Sequence, residues 1–217
     1  LSDFAAQGQQ TAPTNAIPAD LLRTQSLSAD EQMDAANYIF SEGKRLEALS
    51  LKLLDLLVTK NSKPAFTAAE PAQLIAALTA QLRPVYAEQS IRLLNQGAPG
   101  WCMMEPDLVR SLLLNLIDNA RKALESGGTI RIVSEMTASG CRIRVADNGR
   151  GMPPEAIAHL TEAFYRVDKA RSRAQGGAGL GLTLCNEIAR LHGGTLSFDS
   201  RLNAGTTVTV TLNGGIV

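Results

Sequence analysis

Residues 115–122, Asn-Leu-Ile-Asp-Asn-Ala-Arg-Lys, constrain this chain more than any other stretch. Their spacing predicts a helix with two opposed faces. Asn115, Asn119 and Lys122 fall at i, i+4 and i+7 and share one side. Leu112, Leu113, Leu116, Ile117 and Ala120 fall on the other and need a core to cover them. Two amide oxygens on one turn suit a hard cation such as Mg²⁺, which completes its shell with waters and phosphates. Lys122 is placed to meet a phosphate as a point charge. Taken alone, the same face also reads as solvated polar surface.

Two later stretches supply what the first lacks. A strand reading Ile143-Arg-Val-Ala ends at Asp147, and Asn-Gly-Arg-Gly-Met follows. A carboxylate at a strand end, backed by Gly149 and Gly151, can accept a hydrogen bond from an exocyclic amine. The N6 amino group of adenine is such a donor. Asp-Asn-Gly is also common turn chemistry. Residues 176–181 include Gly176, Gly177, Gly179 and Gly181, and Leu182 opens a helix. Backbone N–H groups at a helix N-terminus attract phosphate, and glycines permit close approach. No Lys-Ser/Thr follows the last glycine and no strand precedes the first, so neither common phosphate-loop fingerprint fits. Arg166, Lys169, Arg171, Ser172 and Arg173 precede the glycines. The stretch 165–179 therefore reads as a lid that closes over a triphosphate and moves without one, or more plainly as a solvated basic loop.

Lys+Arg and Asp+Glu both number 21, so bulk charge gives no reason to bind nucleic acid or an anionic membrane. Cys102, Cys141 and Cys185 form no Cys-x-x-Cys pair and read as reduced core thiols of a cytosolic protein. No apolar run has the length of a membrane span, and no basic segment precedes Arg23, so neither a span nor a signal peptide is expected. At 45% hydrophobic, 217 residues can bury one good core plus a smaller element.

The hydrophobic period divides the chain. Residues 1–25, with Gly8, Pro13 and Pro18, should be irregular or hold short helical pieces. A long helix is expected over 29–59, opened by a capping box of Ser28 and Glu31. Ile39, Leu46 and Leu53 recur every seven residues with Leu49 and Leu56 between them, a seam for a helical bundle. Leu51, Leu54 and Leu57 widen it. Residues 61–69 read as a linker. Beyond them come a helix over 70–89 kinked at Pro84, strands at 91–95 and 101–104, and a helix over 106–125. A strand pair follows at 129–136 and 141–146, then a helix from about Pro153, a helix over 180–191, and a hairpin of 195–200 with 206–212. The mixture predicts an α+β fold, a sheet covered on one face by helices.

The order and spacing of these stretches resemble the catalytic, ATP-binding domain of bacterial sensor histidine kinases. That superfamily also holds DNA gyrase, the heat-shock chaperone ATPase and the mismatch-repair ATPases. Residues 115–122 resemble its N box and 147–151 its G1 box. Phe164-Tyr-Arg-Val resembles the F box and 176–182 the G2 box. Ile188-Ala-Arg-Leu-His-Gly-Gly and Gly205-Thr-Thr-Val are similar to later family segments. The resemblance implies a Bergerat-type α/β sandwich at 70–217, with 1–60 as a remnant or altered dimerisation and phosphoacceptor region. It implies ATP and Mg²⁺, with Asn119 the main metal ligand and Asn115 assisting. Lys122 and Arg166 would meet phosphate, Asp147 the adenine amine, and Thr206 the adenine through water. Gly149 and Gly151 would shape the pocket, and Gly177, Gly179, Leu180 and Gly181 would form the phosphate loop. Hydrolytic members of the superfamily carry a glutamate where Asn115 stands, and an amide cannot act as a general base. Transfer to a protein acceptor is thereby favoured over hydrolysis.

The family's first dimerisation helix carries an acceptor histidine. Here the matching position falls near Ala6, beside Gln7, and no histidine stands there. Of the two histidines, His159 reads as exposed and His192 as a residue favouring a helix dipole. The implied partners are a second copy through helix 29–59 and a response regulator receiver domain. The implied location is the cytoplasm, which includes the cytoplasmic part of an inner-membrane sensor. Two other readings remain at this point: a non-catalytic, ATP-binding or dimerising signalling module, and an anti-sigma-type serine kinase.

Overall fold

The computed structural model describes residues 18–24, 26–61, 64–124, 127–167 and 179–216. They fall into two compact units, the first ending at Ala48 and the second starting at Leu49.

The first unit holds α1 (Pro18–Thr24) and the start of α2 (Ala29–Asn61). The capping box forms: the Ser28 N–H donates to Glu31 Oε2 at 2.8 Å, and the Glu31 N–H donates to Ser28 Oγ at 3.4 Å. The expected seam is open at its start, whereas Leu49 and Leu56 are half-buried. Ile39 and Leu46 are exposed, as are Leu51, Leu54 and Leu57, while Leu53 is half-buried. The stretch 1–25, expected to be irregular or to hold short helical pieces, lies outside the described residues except for α1.

The second unit is a five-stranded sheet with helices on one face. Its strands are β2 (Ile91–Gly97), β4 (Gly128–Thr137), β5 (Gly140–Asp147), β6 (Thr195–Arg201) and β7 (Gly205–Leu212), in the order β2-β4-β5-β7-β6. β2 runs parallel to β4, with Ile91 opposite Gly128, and the other pairings are antiparallel. Period-2 alternation directs Leu93, Ile130, Ile132, Ile143, Val145, Val210 and Leu212 into the core. The opposite face is polar: Arg142 and Arg144 both reach Glu135, at 2.8 and 3.2 Å.

Three helices cover the apolar face: α3 (Pro71–Glu88), α4 (Pro106–Ala123) and α6 (Gly181–Leu191), the last following the short α5 (Pro154–Ile157). On α4 the buried residues are Val109, Leu112, Leu113, Leu116, Ile117 and Ala120, the predicted face extended by one turn. Glu105 caps this helix by accepting the N–H groups of Asp107 and Leu108, and Pro106 occupies the first turn, where no N–H is needed. Leu56 of α2 packs against this core.

The structure departs from expectation in several places. α3 passes Pro84 without a break. Ala80, whose carbonyl loses its partner there, is exposed to water, which can satisfy it. A strand, β1 (Thr67–Ala69), lies within the segment read as linker and pairs with β3 (Cys102–Met104). Three residues are too few to show a period. The helix expected from Pro153 lasts four residues, after which the chain turns repeatedly to Phe164, whose φ is 67°.

His192 is the sharpest correction. It is structural, as expected, but not a cation at a helix dipole. It is 2% exposed; Nδ1–H donates to the Ile188 carbonyl at 2.8 Å, and Nε2 accepts the Glu105 N–H at 3.1 Å. An Nε2 that accepts is unprotonated, so the ring is neutral. Burial holds its pKa below the ordinary imidazole value, against smaller upward pulls from the Ile188 carbonyl and Glu105.

Candidate functional site

A cavity of about 210 Å³ opens between α4, the ends of β5 and β7, and the start of α6. Its walls combine apolar side chains (Val145, Leu160, Phe198, Val208) with Asn119, Lys122, Asp147, Arg166 and Thr206. Gly151, Gly179 and Gly181 complete it. A mostly apolar cleft with a few convergent polar groups is the usual form of a small-ligand site.

Glycine builds the corner where Asp147 meets α4. A methyl group at Gly149 would lie 2.6 Å from the Ala123 carbonyl oxygen, so only glycine lets the strand end approach the helix end this closely. The Arg150 N–H then donates to that carbonyl at 3.2 Å. Asp147 Oδ1 accepts the Gly149 N–H at 2.9 Å, the expected Asx geometry. Burial pushes the Asp147 carboxyl above its ordinary range, while the Gly149 and Thr206 N–H groups pull it down and recover only part. The half-buried carboxylate faces an apolar cavity and suits a ligand that donates a hydrogen bond.

Asp147, Thr206 and Ser200 lie side by side across β5, β7 and β6. Ser200 Oγ accepts the Met152 N–H at 2.9 Å, lies 2.9 Å from Thr206 Oγ1 and donates to the Gly205 carbonyl at 3.1 Å. Sequence reasoning missed Ser200. The signal was there: the alternation that buries Leu196 and Phe198 also turns Ser200 inward.

On α4, Asn119 and Lys122 reach the cavity. Lys122 Nζ sits 2.7 Å from Asp118 Oδ2, and Arg121 reaches the other oxygen at 2.8 Å. Burial raises the Asp118 pKa, but the bonds from Lys122 and Arg121 outweigh it and hold the carboxylate below its usual range. Asn115 stands one turn back. Its Nδ2 donates to the Ser111 carbonyl at 2.9 Å, and its Oδ1 would be 2.9 Å from a methyl group at Gly181. Amide oxygens beside a lysine fit a magnesium ion that takes its other ligands from phosphates.

The phosphate-loop stretch is described only from Gly179 onward; Gly177 and residues 168–178, with most of the expected lid, lie outside the described residues. Its flanks meet at the Phe164 N–H, which donates to the Gly179 carbonyl at 2.9 Å. Gly179 has a φ of 72°. Leu180 is buried. Of the expected site residues, the structure gathers Asn119, Lys122, Asp147, Gly151, Arg166, Gly179, Gly181 and Thr206 at the cavity walls, with Asn115, Gly149 and Leu180 supporting them.

The family model described as histidine kinase-, DNA gyrase B-, and HSP90-like ATPase matches residues 104–215, and the chain belongs to this family. Sensor protein SrrB of Staphylococcus aureus is 31% identical over 188 residues, covering 84% of this chain. The match is 32% of that protein, so the chain spans about a third of the length of the curated relatives it matches. The nucleotide-free catalytic domain of histidine kinase ThkA superimposes with a TM-score of 0.61 at 24% identity, covering 69% of this chain and 96% of that one. Full-length ShkA in complex with AMPPNP gives 0.69 at 22% identity, covering 93% and 43%. At these identities the two structures show the fold.

Proposed function

We propose that this chain is the ATP-binding catalytic module of a two-component sensor histidine kinase. One observation carries the reading: a single apolar cavity has a half-buried carboxylate, Asp147, at one end, and Asn119, Lys122 and the start of α6 at the other. That is the polarity of a purine nucleotide. Asp147 accepts the exocyclic amine, and Thr206, tied to Ser200, faces the same ring. Val145, Phe198 and Val208 exclude water from its faces. Lys122 leaves Asp118 to meet phosphate, and Arg166 stands on the same wall. Asn119, with Asn115 assisting, would hold Mg²⁺, whose charge offsets that of the phosphates during phosphoryl transfer.

The amide of Asn115 takes no proton, so no water is activated there. The γ-phosphoryl group goes instead to a histidine nitrogen and onward to a response regulator. Neither histidine of this chain serves as acceptor. Both ring nitrogens of His192 are engaged, and His159 pairs with Glu162 at 2.8 Å on the surface. The acceptor is then a histidine outside these 217 residues, presented to the site along α2. The module works in the cytoplasm. Among the described residues no helix is long and apolar enough to cross a membrane.

Calorimetric titration with a non-hydrolysable ATP analogue, with and without Mg²⁺, tests the reading. Mg²⁺-assisted binding that Asp147→Asn weakens about a hundredfold is expected, from loss of a charged hydrogen bond and a donor left facing a donor. Absence of binding in both conditions would leave a dimerising module without nucleotide.

A further inference from the structure

Helices α4 and α6 bear the two stretches that bound the phosphate end of the cavity, and they touch at three heights. At the cavity end Gly181 closes on Asn115. Midway, the Cys185 thiol donates to the Leu112 carbonyl at 3.6 Å, and both residues are fully buried. At the far end His192 Nε2 accepts the Glu105 N–H at 3.1 Å. Partner numbers rise along α4 as they fall along α6, so the helices are antiparallel and the three contacts share one register.

The far contact is the most constrained. Glu105 is the N-cap of α4, and its carboxylate is spent on the Asp107 and Leu108 N–H groups. His192 is the C-cap of α6, and its Nδ1–H is spent on Ile188. The His192 carbonyl accepts the Asn213 N–H at 2.9 Å, and the ring packs edge-on to Phe66 at 5.0 Å. The imidazole is thus a strut between two helix caps, fixed by a third element. A slip of one residue along α6 moves its far end about 1.5 Å and turns it about 100°. Either motion takes Gly181 off Asn115.

We propose that His192 is a positioning residue for the nucleotide site. It sets the height of α6 against α4 and thereby seats Gly181 and Asn115 at the phosphate end, about 16 Å away at the rise of a helix. This rests on the ATP-binding reading for its consequence, and on the helix contacts for its mechanism.

His192→Phe keeps a ring beside Phe66 and removes both ring hydrogen bonds. His192→Gln keeps one acceptor for the Glu105 N–H and one donor for the Ile188 carbonyl. His192→Leu replaces the Phe variant if that one does not fold. The Phe variant should bind Mg²⁺–ATP about tenfold more weakly, since a shift near 1 Å is costly at a preorganised site, and bind adenosine as the native chain does. The Gln variant should recover most of the ATP affinity. In nucleotide-free protein, the amides of residues 182–184 should exchange about tenfold faster in the Phe variant than in the native chain. Equal weakening for ATP and adenosine would mean general loosening, and native-like ATP affinity would mean no coupling; either overturns the proposal. Should the native chain bind no nucleotide, the functional reading fails, and the exchange rates alone decide whether the strut seats α6.

Discussion

At the scale of single residues, the site and the fold pull against each other at Asp147. Its folded-state pKa is raised, mainly by burial, so the folded chain holds the proton more tightly than the unfolded chain. Stability from this group falls as pH rises through the ordinary carboxylate value of about 3.9, and the full cost is present at neutral pH. Asp147→Asn should therefore raise the melting temperature of the nucleotide-free domain while removing nucleotide affinity; scanning calorimetry beside titration would show opposite signs. His192 has the reverse dependence. Its folded pKa is lowered, so the unfolded chain takes up the proton first. Stability is complete above about 6.5 and declines as pH falls through that value. Melting temperatures between pH 7.5 and 5.5 should drop more steeply for the native chain than for His192→Gln. At Gly149 a methyl group would meet the Ala123 carbonyl oxygen at 2.6 Å and Ala123 Cβ at 2.9 Å. Gly149→Ala should cost about 1–3 kcal/mol in denaturant unfolding, the usual penalty of overpacking.

At the scale of elements, what the sequence showed depended on length and period. α4 was legible because eighteen residues give a stripe five turns long, and its apolar side matched the buried one. The capping box at Ser28 was legible because it is local. β1 has three residues and no period of its own, and it exists only because β3 lies opposite. The four-residue α5 ends where tertiary packing sets the chain turning. Most of the described site residues named by resemblance line the cavity because the fold places motif ends together. Ser200 was missed because a lone serine in a strand carries no motif, and its role emerges only when Thr206 pairs across from it. The exposed apolar seam of α2 makes its own prediction. Ile39 is 40% and Leu46 58% exposed, too much apolar surface at a heptad spacing to stay uncovered. The chain should be dimeric by light scattering, and Leu46→Glu should shift it toward monomer without weakening ATP binding.

At the scale of the whole molecule, the two units divide the labour. The cavity draws all its walls from residues beyond Leu49. A fragment starting at Leu49 should bind Mg²⁺–ATP within about twofold of the full chain, because no wall of the site is lost. One starting at Pro64 loses the packing of Leu56 on the core and should be about 1 kcal/mol less stable, the value of a partly buried leucine. The parallel pairing of β2 with β4 has a further consequence, for synthesis. The β4–β5 and β6–β7 pairings join strands made in succession, but β2 waits for β4, and β5 waits for β7. At roughly 5–20 residues per second, Ile91 is translated several seconds before Gly128 appears opposite it. For that interval Ile91 and Leu93 have only α3 to cover them. The nascent chain thus passes a stage open to wrong partners before its nucleotide site exists at all.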